Sequence, residues 1–244
     1  MVALAGASLW AARPPGAQAA PVRNTGPVVI ELFSSEGCSS CPPADAALSE
    51  LDSRQSVDGV VVLALEEHVD YWDDLGWRDP FAQAGFGARQ GRYAAVLTSG
   101  QVFTPELVID GHAVGDVDVA HLAQSVRESG QEPKAMVRVK RQDDGIDVVV
   151  QEVPAAAGDD DAEVWLAVTE SGLSTRVLRG ENRGRHVLHA PVVRMLRKLG
   201  SVRAGTFHIA GRLEMGPSWD RSKVRVVVFV QRVQSRRIVG AGSS

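Results

Sequence analysis

The 244-residue chain holds only two cysteines, so it cannot be a disulfide-dense scaffold in which cross-links replace a core. Aromatic residues are few (5%), and no uninterrupted apolar run approaches the roughly 18 residues of a membrane-spanning helix. Stable membrane insertion is therefore not expected. A basic excess is lacking too: 26 Lys and Arg against 30 Asp and Glu leave a net charge of -4, so no nucleic-acid partner is expected. What is present is ordinary globular material, 44% hydrophobic and 23% charged, enough for one large domain or two small ones.

Charge is divided unevenly along the chain. Residues 1–133 carry 7 basic and 18 acidic residues, whereas residues 134–244 carry 19 and 12. Two domains whose opposite fields help them dock would show this asymmetry, as would two solvated surfaces of different sign. Residues 1–20 are small and largely apolar, and Ala17-Gln18-Ala19 has the small-x-small form of a signal peptidase site. No Lys or Arg precedes that apolar stretch, so an atypical or truncated signal peptide is expected over 1–20, with a low-complexity tail as the alternative. Export also suits a cysteine pair that can be oxidised.

Residues 27–33 form a β-rich apolar run, and residues 60–65 a second one. Between them Pro42-Pro43 opens a helix continued to Arg54, with Ala47, Leu48 and Leu51 on one face. A second, glycine-weakened helix is expected over 80–93, a hairpin over 106–109 and 112–114 turning at Asp110-Gly111, and a closing helix to about Gly130. From Lys134 the texture changes. Strands are expected over 135–141, 146–152, 164–169, 206–213 and 223–233, separated by Gly, Pro and Asp clusters. The expectation is an α/β domain over residues 26–131, then an all-β sandwich-like domain over 134–240.

The chemistry concentrates in Gly37-Cys38-Ser39-Ser40-Cys41-Pro42, between a buried strand and a helix start. Unpaired amides and the dipole of a helix N-terminus lower a thiol's pKa, and three-residue spacing lets one sulfur resolve a mixed disulfide made by the other. Cys38, nearer the loop, is the expected attacking sulfur and Cys41 the resolving one. A structural disulfide, or a mixed copper site using His68, is the competing reading. Structural zinc would need two more ligands, and six scattered histidines give no ligand spacing, so no metal and no cofactor is expected.

Thr104-Pro105 stands just before the third apolar strand, where a cis X-Pro bond would expose a backbone edge to a substrate chain. With the strand, Cys-x-x-Cys and helix before it, this order resembles the thioredoxin superfamily. Residues 66–80 gather Tyr71, Trp72 and Trp77 on an acidic stretch, as a substrate rim or as rings anchoring a loop. The basic residues Arg183, Arg185, His186, His189 and Arg194 suit an anion site, a docking face or plain solvent.

The segments Glu-Leu-Phe-Ser-Ser-Glu-Gly-Cys-Ser-Ser-Cys-Pro-Pro-Ala-Asp, His-Val-Asp-Tyr-Trp-Asp-Asp-Leu-Gly-Trp and Thr-Pro-Glu-Leu-Val-Ile-Asp-Gly together resemble a secreted, thioredoxin-like family, domain of unknown function 1223. Residues 180–189 are similar to its C-terminal part, so the likeness spans roughly 26–240. The resemblance implies a thioredoxin-like fold and an extracytoplasmic role, with no substrate attached. The function expected is exported thiol–disulfide exchange on a protein or small-thiol substrate, served by a redox partner. Cys38 and Cys41 would do the chemistry, and Thr104, Pro105, Tyr71, Trp72 and Trp77 would hold the substrate. The alternative is a copper- or partner-binding module without turnover.

Overall fold

A computed structural model describes residues 25–115, 118–156, 160–203 and 205–244, and the signal peptide expected over 1–20 lies outside them. The first half runs β1 (Val28–Ser34), α1 (Pro42–Arg54), the two-residue β2 (Ser56–Val57) and β3 (Val60–His68). It continues with α2 (Ala84–Leu97), the hairpin β4 (Glu106–Ile109) and β5 (His112–Val114), and α3 (Val119–Gly130). All seven positions of β1 are buried, which is why its sequence is a continuous apolar run rather than an alternation. Its pleat sends Ile30 and Leu32 toward Leu48 and Leu51 of α1 and Leu122 and Val126 of α3. Val29 and Phe33 go the other way, to Phe86 and Tyr93 of α2.

The second helix starts at Ala84, later than the sequence pattern suggests. Asp79 accepts the Phe81 amide (2.8 Å) and the His68 carbonyl accepts that of Gln83 (3.1 Å), so residues 79–83 turn before the helix can begin. The hairpin turns where expected, at Asp110 and Gly111 with φ of 46° and 82°. Gly111 is required twice over, because a Cβ there would run into the backbone of Arg236.

The second half contributes β6 (Met136–Gln142), β7 (Gly145–Gln151), β8 (Ala162–Glu170), β9 (Ser174–Arg176) and β10 (His186–Leu188). It ends with β11 (Val192–Val202), β12 (Phe207–Arg212), β13 (Val224–Arg232) and β14 (Ile238–Ser243). One large sheet has the order β14-β13-β8-β11-β3-β1-β4-β5, with β2 on the side of β3; β12-β7-β6 and β9-β10 are separate small sheets.

The expected fold is thereby corrected. The described residues form fourteen strands against three helices, and a mixed sheet runs without a break through both halves. A thioredoxin-like α/β domain followed by an all-β sandwich-like domain is not what the chain builds. The reason is β11, which pairs antiparallel with β8 and parallel with β3, meeting it where Val192 faces Glu66. Glu66 N–H donates to the Pro191 carbonyl (2.9 Å), so the edge of β3 that would close the first unit is occupied by the second.

The large sheet is covered on both faces. Beyond the seam, Val164, Leu166, Val226 and Val228 point to the three-stranded sheet and pack on Ile146, Val148 and Val150. Ala167, Val227 and Phe229 point back toward α2. Each such Val, Leu, Ile or Phe side chain, fully buried, contributes roughly 1.5–3 kcal/mol. Among the described residues no helix is long and apolar enough to cross a membrane.

Candidate functional site

The cysteine loop leaves the end of β1 and enters α1, and Cys41 is the N-cap residue of that helix. Cys38 and Cys41 are joined in a disulfide with their Cα atoms 5.5 Å apart, and both are fully buried. The helix start offers a thiolate less than the sequence suggests. Pro42 and Pro43 have no N–H, and the amides of Ala44 and Asp45 both donate to the Cys41 carbonyl (2.9 and 3.1 Å). What remains for a Cys38 thiolate is the helix dipole, worth about 0.3–1 kcal/mol, and the Ser40 hydroxyl 3.3 Å from Cys38 Sγ.

Three of the expected rim and substrate residues are tied to this loop. Trp72 packs against Gly37, where an added Cβ would lie 3.2 Å from its own Cβ, and its indole N–H donates to Thr104 Oγ1 (2.8 Å). Thr104-Pro105 is cis. Trp77 donates to Glu36 Oε2 (2.7 Å), one residue before Gly37. Tyr71 faces outward at 41% exposure and bonds Gln90 (3.1 Å).

The second half closes over the loop. The buried Asn182 amide donates to the carbonyls of Glu36 (2.9 Å) and Cys38 (2.8 Å), and Arg185 donates to Asn182 Oδ1 (3.0 Å). Glu181 accepts the Ser39 amide (3.2 Å). Gly180 lies against Trp77, so close that an added Cβ would stand 3.1 Å from the tryptophan Cβ. Residues 180–185 are thus a strap anchored over the cysteine loop by the buried Asn182, while Arg183 and Arg185 stay exposed. Arg194 belongs elsewhere, paired with Glu170 (3.1 Å) and lying over Phe81 and Trp219. A cavity of about 540 Å³ opens beside the strap, between Pro42 and Ala46 of α1 and Leu173, Val187 and Leu188.

Beneath the loop lies a buried charged cluster. His68 Nδ1 is 2.7 Å from Asp79 Oδ2, and its Nε2 is 2.8 Å from Glu66 Oε1 without hydrogen-bond alignment. His189 Nε2 is 3.1 Å from Glu36 Oε1 and its Nδ1 3.2 Å from Glu66 Oε1. Burial by itself opposes charging His68, but the Asp79 and Glu66 carboxylates outweigh it and hold the imidazole well above its ordinary pKa. His189, with Glu36 and Glu66 prevailing over burial, is raised to about 9. Burial likewise opposes ionisation of Glu66 and Asp79, yet His68 brings both below the usual carboxylate range. Asp45, bonded to Ser34 Oγ (2.7 Å), is pushed well up by burial and by Glu66.

Sequence reasoning places His68 beside the cysteines as a ligand and His189 in a basic face, and finds no ligand spacing. The structure brings the two rings to 5.0 Å although 121 residues separate them. Glu36, Glu66 and Asp79 lie in the cysteine loop and the acidic stretch that the sequence singles out, but nothing in the sequence pairs them with the two histidines. The one available signal is Glu66 and His68 at i and i+2 on a strand, which places both on one face.

The chain is similar to protein AGR_C_4864 from Agrobacterium tumefaciens, known from its crystal structure, at 25% identity over 91% of this chain and 95% of that one, with a TM-score of 0.68. A superoxide reductase from Nanoarchaeum equitans aligns at 7% identity over 46% of this chain and 89% of that one, with a TM-score of 0.22, too slight to bear on fold or activity. No protein of curated function matches. The model of the family described as "Protein of unknown function (DUF1223)" matches residues 29–231, and the chain belongs to that family.

Proposed function

We propose that the protein exchanges disulfides with a protein or small-thiol substrate through Cys38 and Cys41, in an oxidising compartment outside the cytoplasm. The observation that carries this reading is the cysteine pair itself, closed at the helix start of α1 and bridged by Trp72 to Thr104. A strand, a Cys-x-x-Cys turn, a helix and a Thr-Pro held by Trp72 support this reading. In the reduced protein the Cys38 thiolate attacks a substrate disulfide. A Cys38–substrate S–S bond forms, the substrate's own S–S bond breaks, and one substrate thiolate leaves to take up a proton. The Cys41 thiolate then attacks the Cys38 sulfur, closes the pair and releases the second substrate thiol. Two electrons have passed to the substrate, and a dithiol redox partner restores them by the same steps in reverse.

Access is the requirement this scheme places on the fold, because both sulfurs lie under the strap. The 540 Å³ cavity gives a substrate an apolar hold next to Pro42, and Tyr71 adds contact area on the aromatic side. The test is trapping. Cys41→Ser should accumulate mixed disulfides through Cys38, and Cys38→Ser should accumulate none. The opposite pattern, or a Cys38–Cys41 potential well below about -300 mV, as structural disulfides have, would overturn the proposal.

A further inference from the structure

We infer that Glu66, His68 and His189 bind one divalent first-row transition ion behind the cysteine loop, independently of its thiols. One ligand atom from each residue lies within 4.8 Å of the others, and all three side chains are buried. Glu66 Oε1 sits 2.8 Å from His68 Nε2 and 3.2 Å from His189 Nδ1. A tetrahedral ion with bonds of about 2.0–2.1 Å sets its ligand atoms about 3.3 Å apart, so side-chain adjustments of an ångström or so bring all three into place.

The surroundings are organised for ligation. Each imidazole has its outer nitrogen on a carboxylate, His68 Nδ1 on Asp79 (2.7 Å) and His189 Nε2 on Glu36 (3.1 Å). Those carboxylates are fixed in turn, Asp79 by the Glu36 amide (2.8 Å) and Glu36 by the Trp77 indole (2.7 Å). A carboxylate on the far nitrogen is what orients a metal-binding histidine and raises its basicity. The inner nitrogens are thereby turned toward Glu66.

Two buried atoms make no hydrogen bond here, although His68 Nε2 is in ionic contact with Glu66 Oε1. They are Glu66 Oε2 and His68 Nε2, and a cation bound by Glu66 and His68 would give each residue the contact its geometry leaves unmade. Two imidazoles and one carboxylate form a borderline donor set. It suits Zn²⁺, Co²⁺ or Fe²⁺ and not Mg²⁺ or Ca²⁺, which favour oxygen ligands. β3 supplies Glu66 and His68, whereas His189 precedes β11 at the point where that strand meets β3. The ion would therefore pin the seam between the halves.

The test uses the full chain with its disulfide closed, so that no thiolate competes. After treatment with a chelator, Zn²⁺ should bind in one equivalent at submicromolar Kd in competition with a chromogenic indicator. His68→Ala and His189→Ala should each weaken binding at least 100-fold, and Asp79→Asn 10–100-fold. Co²⁺ in the unsubstituted protein should give visible ligand-field bands, with nitrogen and oxygen but no sulfur in its X-ray absorption shell. That arm needs no variant to fold. Failure of the unsubstituted protein to take up either ion, sulfur in the Co²⁺ shell, or full retention of Zn²⁺ by the double histidine variant would overturn the assignment.

Discussion

The large sheet buries charge on both faces, and the two clusters are satisfied in different ways. On the α2 side Arg89 donates to Glu31 (2.5 Å), Gln231 (3.0 Å) and Tyr93 (3.2 Å), while its guanidinium lies over the rings of Tyr93, Trp165 and Phe229. Tyr93 in turn donates to Glu31, and Gln231 to Tyr93 (2.7 Å). On the α1 side the compensating groups are two imidazoles, and the central carboxylate keeps an oxygen without a partner. A guanidinium is always charged and can only donate, so Arg89 itself can only hold α2, β1 and β13 together, while Glu67, 3.5 Å from it with neither oxygen hydrogen-bonded, is pushed well up by burial and by Glu31. Imidazoles exchange protons and ligate. One cluster is centred on a cation that cannot change state; the other is centred on imidazoles that can.

The largest effect is expected from Arg89→Met. Removing the cation leaves Glu31 buried against Tyr93, and breaking a buried pair costs about 3–5 kcal/mol. Denaturant unfolding of the variant measures it. A loss below about 1 kcal/mol would mean the cluster braces nothing.

Asn182→Ala probes the strap above the other cluster. It leaves two carbonyls, of Glu36 and Cys38, without their buried donor, at a cost of about 1–3 kcal/mol. Because the same amide closes the strap over the disulfide, the rate of reduction by a small dithiol should rise. Unchanged rate with reduced stability would show that access is controlled elsewhere.

Trp72→Phe should cost less. It deletes the N–H bond to Thr104 and keeps most of the packing on Gly37, for about 0.5–1.5 kcal/mol. Its informative readout is substrate KM, which should rise if Thr104 is held in place for a substrate chain. Stability lost with KM intact would make the indole an anchor only.

The parts of this architecture that sequence could show are those in which local pattern and tertiary role coincide. The burial of β1, the proline start of α1 and the Asp110-Gly111 turn are written in their own residues. β11 is not. Its eleven residues carry Arg194, Arg197 and Lys198, and register shifts at Val193/Met195 and Lys198/Gly200 reset the alternation twice. The strand that joins the halves is therefore the one without a strand's periodicity. β14 hides for another reason: Gly240 and Gly242 stand where β6 approaches too closely for a side chain, so it looks like a loose tail. At the site, the cysteines and the aromatic loop are local motifs. The His68–His189 pairing exists only because β11 docks on β3, and spacing along the chain carries no trace of it.

The smallest effect expected is spectroscopic. The chain has two tyrosines, which sample the brace and the rim of the cysteine loop. Burial, followed by the Glu31 carboxylate, holds Tyr93 well above its ordinary pKa. Burial also raises half-exposed Tyr71, to about 12. A raised folded-state pKa means the native protein keeps the proton more tightly than the unfolded chain. The associated stability is then complete below the unfolded value of about 10 and is lost as pH rises through the folded one. Absorbance at about 295 nm should thus show little tyrosinate at pH 11, where an unperturbed phenol is about 90% ionised. Tyr71 should ionise first, near 12, and the Tyr93 signal should appear only as circular dichroism reports unfolding. Tyr93→Phe should leave the Tyr71 titration and remove the later step. Two phenols titrating near pH 10 in a protein still folded would show that Tyr93 is not sealed in the brace.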